Sequence, residues 1–353
     1  LCVGDPDFRT PEPIIDNAVS YLRVGRTHYS PALGEIKLRR AIADLETQSS
    51  PHVCAVEEVA VFPGATAAVH AVMTCLLDAG DEVVIPEPMY VGYTSIMRAV
   101  DARVIAVPLD VKAEFALDVE AVKAEFTAAT RVLFLNTPGN PTGSIIPAAQ
   151  LRDLGEFCRQ RNVWLVCDEV YSMFTYDGGH RSARASVEHL DNVVMVDGLS
   201  KSHAMSGWRV GWVVAPPNLI ERLACYAQTT LFGCPQFIQD ASAFALENDQ
   251  VYVEQMRVEY RERRDFVLGQ LEDIPHIRGF RPRAGMFIMC DVSATGLSGN
   301  DFAARLLDAE GVSVVPGEAF GPSAQSCVRL GLAQNKAVLK RACQRLSRFC
   351  ETL

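Results

Sequence analysis

The 353-residue chain has eleven cysteines but no C-x-x-C pair, which sets aside the commonest thiol redox and zinc motifs. The cysteines are scattered through apolar segments such as "MTCLL", "LVCDEV" and "FIMCDV", where a thiol behaves as a small buried hydrophobe. Their odd number fits a reducing compartment, so a cytoplasmic protein without a bound metal is expected. No Lys/Arg run appears and the formal net charge is −10, so neither nucleic acid nor an anionic membrane is an expected partner. No apolar run approaches the ~20 residues needed to cross a bilayer. Internal repeats, low-complexity tracts and flexible Gly/Ser linkers are also missing. The first residue is Leu1 rather than Met, and the natural start is expected to lie upstream.

What is present is a globular composition, 49% hydrophobic and 22% charged, in a chain long enough for two units. Apolar strand-like runs alternate with helix-like segments. "EVAVF" precedes the small-residue run "GATAAVHAVMTCLLDAG", and "DEVVIP" is followed by a helical run from Tyr90 and then "ARVIAVPL". Further on come "RVLFLN", a helix from Pro147 to about Gln160, "VWLVCDEV", "VVMVDG" and "WRVGWVVA". This βαβ rhythm, with strands apolar on both faces, predicts an α/β fold whose mostly parallel central sheet is covered by helices. From about Asn248 a long charged helix runs to Leu271. "GMFIMCDV", a helix from Asn300, "VSVVPG" and "CVRLGL" then predict a second, α+β unit.

Ligands of open α/β sheets bind at the carboxyl ends of the strands, so the residues following each strand are the candidates. After "VAVF", the sequence "PGAT" opens a helix, and the free N–H groups at Ala65 and Thr66 suit a phosphate. After "VLFLN", the rigid turn "TPGNPTG" presents the amide of Asn140, a residue that ordinary turn chemistry would also explain. After "WLVC" comes Asp168, a carboxylate expected to be buried, which needs a cation or a protonated ring nitrogen as partner.

The stretch "VVMVDGLSKSHAMSGWRVGW" places two cations in a loop between apolar runs. Lys201 beside a low-dielectric pocket would deprotonate readily and become a nucleophile, although a solvated loop lysine is the commoner case for any one lysine. Arg209 suits a surface ion pair or a phosphate held at the helix start. Arg329, within "CVRLGL", is flanked by apolar residues and needs a carboxylate from protein or substrate. Taken together, these are the parts that hold pyridoxal phosphate and bind an amino acid beside it.

On the motifs "GDPDFRTP", "HYSPALGEIKLRRAI", "GATAAV", "EPMYVGY", "NTPGNPTG", "CDEVY", "LSKSHAMSGWRVGW" and "VRLGL", the chain resembles a class I/II aminotransferase of fold type I over nearly its full length. The resemblance implies a large cofactor domain, residues 21–265, and a smaller domain from residues 1–20 and 266–353. It implies that Lys201 bonds the cofactor covalently and shuttles the α-proton, while Asp168 keeps the pyridine nitrogen protonated. Tyr171 and Asn140 would hydrogen-bond the phenolic oxygen, with Asn140 also touching the substrate carboxylate. Tyr90 would stack on the ring. Ala65, Thr66, Ser200 and Arg209 would bind the phosphate, joined by Tyr29 from the neighbouring subunit of a homodimer. Arg329 would clamp the substrate carboxylate, with Gly4 closing beside it.

"GLSK" replaces the family's common S-x-S-K, so Gly198 is expected to cost one phosphate hydrogen bond. Within the family, "EPMYVGY", "SKSHAMSGWRVGWVV" and "GVSVVPGEAFGPSA" look most like arginine–pyruvate transaminases, implying a basic amino donor and pyruvate as acceptor. The same motifs also serve a β-lyase acting on sulfur amino acids, and a regulatory module that senses the cofactor remains a third reading.

Overall fold

In the computed structural model, which describes residues 1–248 and 250–353, two sheets organise the chain. The first has seven strands: β1 (Val59–Phe62), β2 (Glu82–Glu87), β3 (Arg103–Pro108), β4 (Thr130–Asn136), β5 (Trp164–Asp168), β6 (Val193–Gly198) and β7 (Gly211–Val214). Their order across the sheet is β1-β7-β6-β5-β4-β2-β3. Neighbours from β3 to β6 pair in parallel, and β7 runs antiparallel to both β6 and β1. The expected mostly parallel sheet is therefore present, with one reversed strand.

The strands read as continuous apolar runs because helices cover both faces. Along β4, Val132 and Phe134 enter a core beneath helices Ala65–Leu76, Val91–Ala99 and Pro217–Thr230. Their neighbours Leu133 and Leu135 enter the opposite core, beneath helix Ala148–Gln160. Side chains alternate between faces with a period of two, so neither set can be polar. A third core joins Val61, Trp212 and Val214 to helices Glu12–Arg23, Ile36–Ser49 and Gln236–Asn248 through Ile14, Leu38 and Ala241.

The second sheet is antiparallel, in the order β10-β11-β9-β8, from β8 (Arg278–Gly279), β9 (Phe287–Asp291), β10 (Val315–Pro316) and β11 (Cys327–Gly331). Ile288, Cys290, Val328 and Leu330 bury one of its faces under helices Gln250–Leu271, Gly299–Glu310 and Lys336–Cys350. The first residues of the chain lie along this sheet, where the Gly331 N–H donates to the Leu1 carbonyl at 2.8 Å. Among the described residues, no helix is long and apolar enough to cross a membrane.

Two local expectations change. The strand expected from Trp208 begins only at Gly211, because Trp208 closes a 3-10 turn and Arg209 takes a left-handed backbone, φ 56°. Lys201 stands on a single helical turn, Leu199–Ser202, rather than in an open loop.

Candidate active site

The carboxyl ends of β1, β4, β5 and β6 converge on a cavity of about 240 Å³. Gly4, Ala65, Thr66, Tyr90, Asn140 and Asp168 line it, and so do Tyr171, Ser200, Lys201, Arg209 and Arg329. Eleven of the twelve positions singled out from sequence thus share one space, although they are up to 325 residues apart in the chain.

Asp168 ends β5 almost wholly buried. Its Oδ2 accepts from the Tyr93 hydroxyl at 2.8 Å and its Oδ1 from the Val170 N–H at 3.1 Å. Burial pushes its carboxyl up to about 6, against the lowering effect of those two donors. Lys201 donates from Nζ to the Gly4 carbonyl at 2.6 Å. Burial lowers its pKa, with Arg209 and Arg329 adding to the effect and Asp5 opposing it. The amine is therefore easier to deprotonate than a solvated lysine.

A phosphate would find a built cradle at the start of helix Ala65–Leu76. Its N-cap, Gly64, has φ 89° and no capping side chain, which leaves the first N–H groups for an external acceptor. A Cβ at Gly64 would lie 2.3 Å from the Arg209 guanidinium, and a Cβ at Gly211 would lie 2.3 Å from the Ala65 nitrogen. Both glycines keep the cradle open. Arg209 is aimed by its left-handed backbone and donates to the carbonyls of Ser206 at 2.8 Å and Pro63 at 3.3 Å.

Arg329 projects from β11 of the second sheet. Its Nη1 donates to Asn140 Oδ1 at 2.8 Å and its Nη2 to the Cys2 carbonyl at 2.8 Å. The guanidinium lies 3.8 Å from the Phe287 ring centre and 4.8 Å from that of Phe320. Nε is buried and has no partner among the described residues. Among the described residues no carboxylate pairs with it, and burial, only partly opposed by Tyr171, Cys2 and Tyr90, pulls its pKa down to about 10. Asn140 is itself held by its backbone N–H, which donates to Asn136 Oδ1 at 2.7 Å.

Two aromatic positions complete the wall. Tyr90 caps helix Val91–Ala99 and packs edge-on to Tyr93, with ring centres 5.4 Å apart. Tyr171 stands edge-on to Phe287 at 6.1 Å, and burial raises its hydroxyl well above the usual tyrosine range.

Tyr29 is the position not brought to this cavity. It is 84% exposed and lies beside Phe232, with ring centres 5.6 Å apart. Gly198 also reads differently in three dimensions. It pairs with Gly211 across β6 and β7, and a Cβ there would come within 2.7 Å of the Val210 carbonyl. The close crossing of two strands accounts for this glycine. Tyr93, Val170, Ser206 and Phe287 line the cavity without having been singled out. Only Tyr93 carried a signal, standing three residues after Tyr90 at a spacing that brings helical side chains together.

The cradle, the buried acid and the low-pKa amine fit pyridoxal phosphate. A family model described as aminotransferase class I and II matches residues 1–346. Among curated relatives, the arginine–pyruvate transaminase of Pseudomonas aeruginosa is 46% identical over 347 residues, 98% of this chain and 88% of that protein. An aspartate aminotransferase of Pyrococcus abyssi is 34% identical over 353 residues, covering 99% and 90%. Among solved structures, an aromatic aminotransferase from Pyrococcus horikoshii superposes with a TM-score of 0.96 at 33% identity, covering 100% of this chain and 95% of that one.

Proposed function

The chain belongs to the class I and II aminotransferases, and from that premise we propose that it moves the amino group of arginine or another basic donor to pyruvate. Its reaction class is pyridoxal-phosphate-dependent transamination between an amino acid and a 2-keto acid. The observation that carries the assignment of roles is the convergence of Lys201, Asp168, Arg209 and Arg329 on one cavity. The basic donor rests on the arginine–pyruvate activity of the Pseudomonas relative, since aspartate and aromatic enzymes share the same fold.

When bound, the cofactor supplies the carbonyl that takes up the amino group and the electron-withdrawing ring that makes the donor's α-proton acidic. Asp168, ionised, would pair with the positive ring nitrogen, and the Tyr93 hydroxyl fixes the carboxylate's orientation. Ala65, Thr66, Ser200 and Arg209 would hold the phosphate, and Tyr171 with Asn140 would address the phenolic oxygen. Tyr90 supplies a flat face for the ring, at little entropic cost.

Arg329 receives the substrate α-carboxylate. The guanidinium lines the cavity, and its planar fork suits two-point contact with a carboxylate. Asn140 accepts from its Nη1 at 2.8 Å and helps to fix the guanidinium's orientation. Lys201, its proton affinity lowered by burial, takes the proton from the donor's α-carbon as a general base. The Gly4 carbonyl that now accepts from the amine would hold it beside the reacting carbon.

The exposed Tyr29–Phe232 pair supports a homodimer in which Tyr29 reaches the partner's phosphate. The free thiols, most of them buried, support a reducing compartment such as the cytoplasm.

The test is a panel of amino acids assayed with pyruvate and with 2-oxoglutarate. We expect arginine with pyruvate to give the highest kcat/KM, and a Lys201→Ala enzyme to stay at background on every pair. Preference for an acidic or aromatic donor would overturn the donor assignment while leaving the reaction class intact. Steady turnover by Lys201→Ala would overturn the role of the lysine.

A further inference from the structure

A second cavity, of about 340 Å³, lies on the other side of Tyr93 and Asn140 from the catalytic one and shares both residues with it. Protein interiors rarely keep voids larger than a water molecule, whereas this volume is that of a small-molecule site. Its floor is the carboxyl ends of β2 and β4, at Ile85 and Asn136, and its far wall is Phe280 of the second unit. Most of the lining is apolar, including Met89, Leu109 and Ile145.

Backbone strain maintains one wall. Glu114 and Phe115 are consecutive non-glycine residues with left-handed φ values of 53° and 61°. Such residues persist only where the surroundings over-determine them, commonly beside a ligand. Here Phe115 packs into a small core against Phe280, with ring centres 5.3 Å apart, and the turn Glu114, Phe115 and Ala116 lines the cavity.

The polar groups of the cavity specify an occupant. Gln150 donates through Nε2 to the Leu117 carbonyl at 3.2 Å, while its own side-chain oxygen is buried without a partner. At the mouth stand two arginines. Arg281 is paired with Asp265 at 2.7 Å, but Arg283 reaches only a backbone carbonyl, that of Asp177 at 3.4 Å, and has no acidic partner among the described residues. An apolar chamber closed by an unneutralised guanidinium suits an apolar body that carries one anionic group.

We propose that this cavity is a regulatory site for a small apolar carboxylate, with its aromatic or branched aliphatic body between Met89 and Phe280 and its carboxylate on Arg283. Its occupancy reaches catalysis through the shared wall. Asn136, which lines the second cavity, accepts from the Asn140 backbone, and the Asn140 side chain holds Arg329. Tyr93, also in the shared wall, holds Asp168. A ligand that displaces either residue disturbs the catalytic groups without touching the substrate.

The probe is 3-phenylpropionate, which has neither an amino nor a keto group to exchange. It is added to the cofactor-loaded enzyme during turnover, with donor and keto acid varied in turn. The parent should show a fall in kcat that saturating donor and keto acid do not relieve. Arg283→Ala should weaken the inhibition about tenfold, the loss of one charge-assisted contact. Ala116→Trp, at an exposed position lining the cavity, should block the probe sterically, and both variants should keep the parent's uninhibited rate. Inhibition competitive with the donor and indifferent to both substitutions would mean that the probe binds at Arg329, and would overturn the proposal. Absence of any inhibition up to the solubility of the probe would overturn it as well.

Discussion

Arg209 and Arg329 face the same cavity, yet the fold holds them in opposite ways. Arg209 is exposed, sits on a left-handed backbone and is aimed at a cradle of glycine and free N–H groups that belongs entirely to the first sheet. Arg329 is buried in a regular strand of the second sheet, sandwiched by Phe287 and Phe320, with one N–H left unsatisfied. An exposed cation on a strained backbone suits an anion that stays bound. A buried cation lacking a counter-charge suits an anion that comes and goes, since each arrival relieves a desolvation cost. In the proposed function the first arginine serves as an anchor and the second as a substrate clamp.

The difference can be broken at either end. The largest effect is expected from Arg329→Lys, which keeps the charge but loses the fork. Steady-state kinetics should show kcat/KM for the amino donor falling about 100-fold, mostly through KM, the scale of losing one charge-assisted hydrogen bond. Gly64→Ala should act on the anchor instead. It puts a side chain at φ 89°, against the Arg209 guanidinium, and should weaken cofactor binding by about tenfold in equilibrium titrations of the apoenzyme.

The smallest perturbation is pH. Asp168 has its carboxyl raised to about 6, and in its proposed role it would have to be ionised to face a protonated ring nitrogen. Below pH 6 the carboxyl has to give up a proton on binding, so cofactor affinity should fall by about tenfold per pH unit as the medium becomes more acidic. Above pH 6 this dependence should vanish. An affinity flat from pH 5 to about 7 would remove Asp168 from that role.

Much of the site was legible in the sequence because strand ends carry it. Asp168 and Lys201 follow apolar runs whose burial fixes where they emerge, and Ala65 and Thr66 follow a glycine that marks a helix start. Distance in sequence was no obstacle, since a parallel sheet aligns its carboxyl ends. What sequence could not supply were contacts made sideways. The Tyr93–Asp168 hydrogen bond crosses from a helix to a strand end, and nothing local encodes it. The meaning of Gly198 depends on a close crossing with Gly211 that only strand pairing creates. The late start of β7 at Gly211 follows from the left-handed Arg209, a conformation that no hydrophobic pattern signals. The second cavity joins Ile85 and Asn136 to Phe280, far apart in the chain, and has no motif at all.

The most direct test of the anchor-and-clamp account is a crossed comparison of Arg209→Gln and Arg329→Gln, measuring for each both the cofactor dissociation constant and the KM for the amino donor. The account predicts that Arg209→Gln loses cofactor affinity with the donor KM of the loaded enzyme nearly unchanged, and that Arg329→Gln raises the donor KM with cofactor affinity nearly unchanged. If both constants moved together in either variant, the two arginines would not have separate tasks and the account would be wrong.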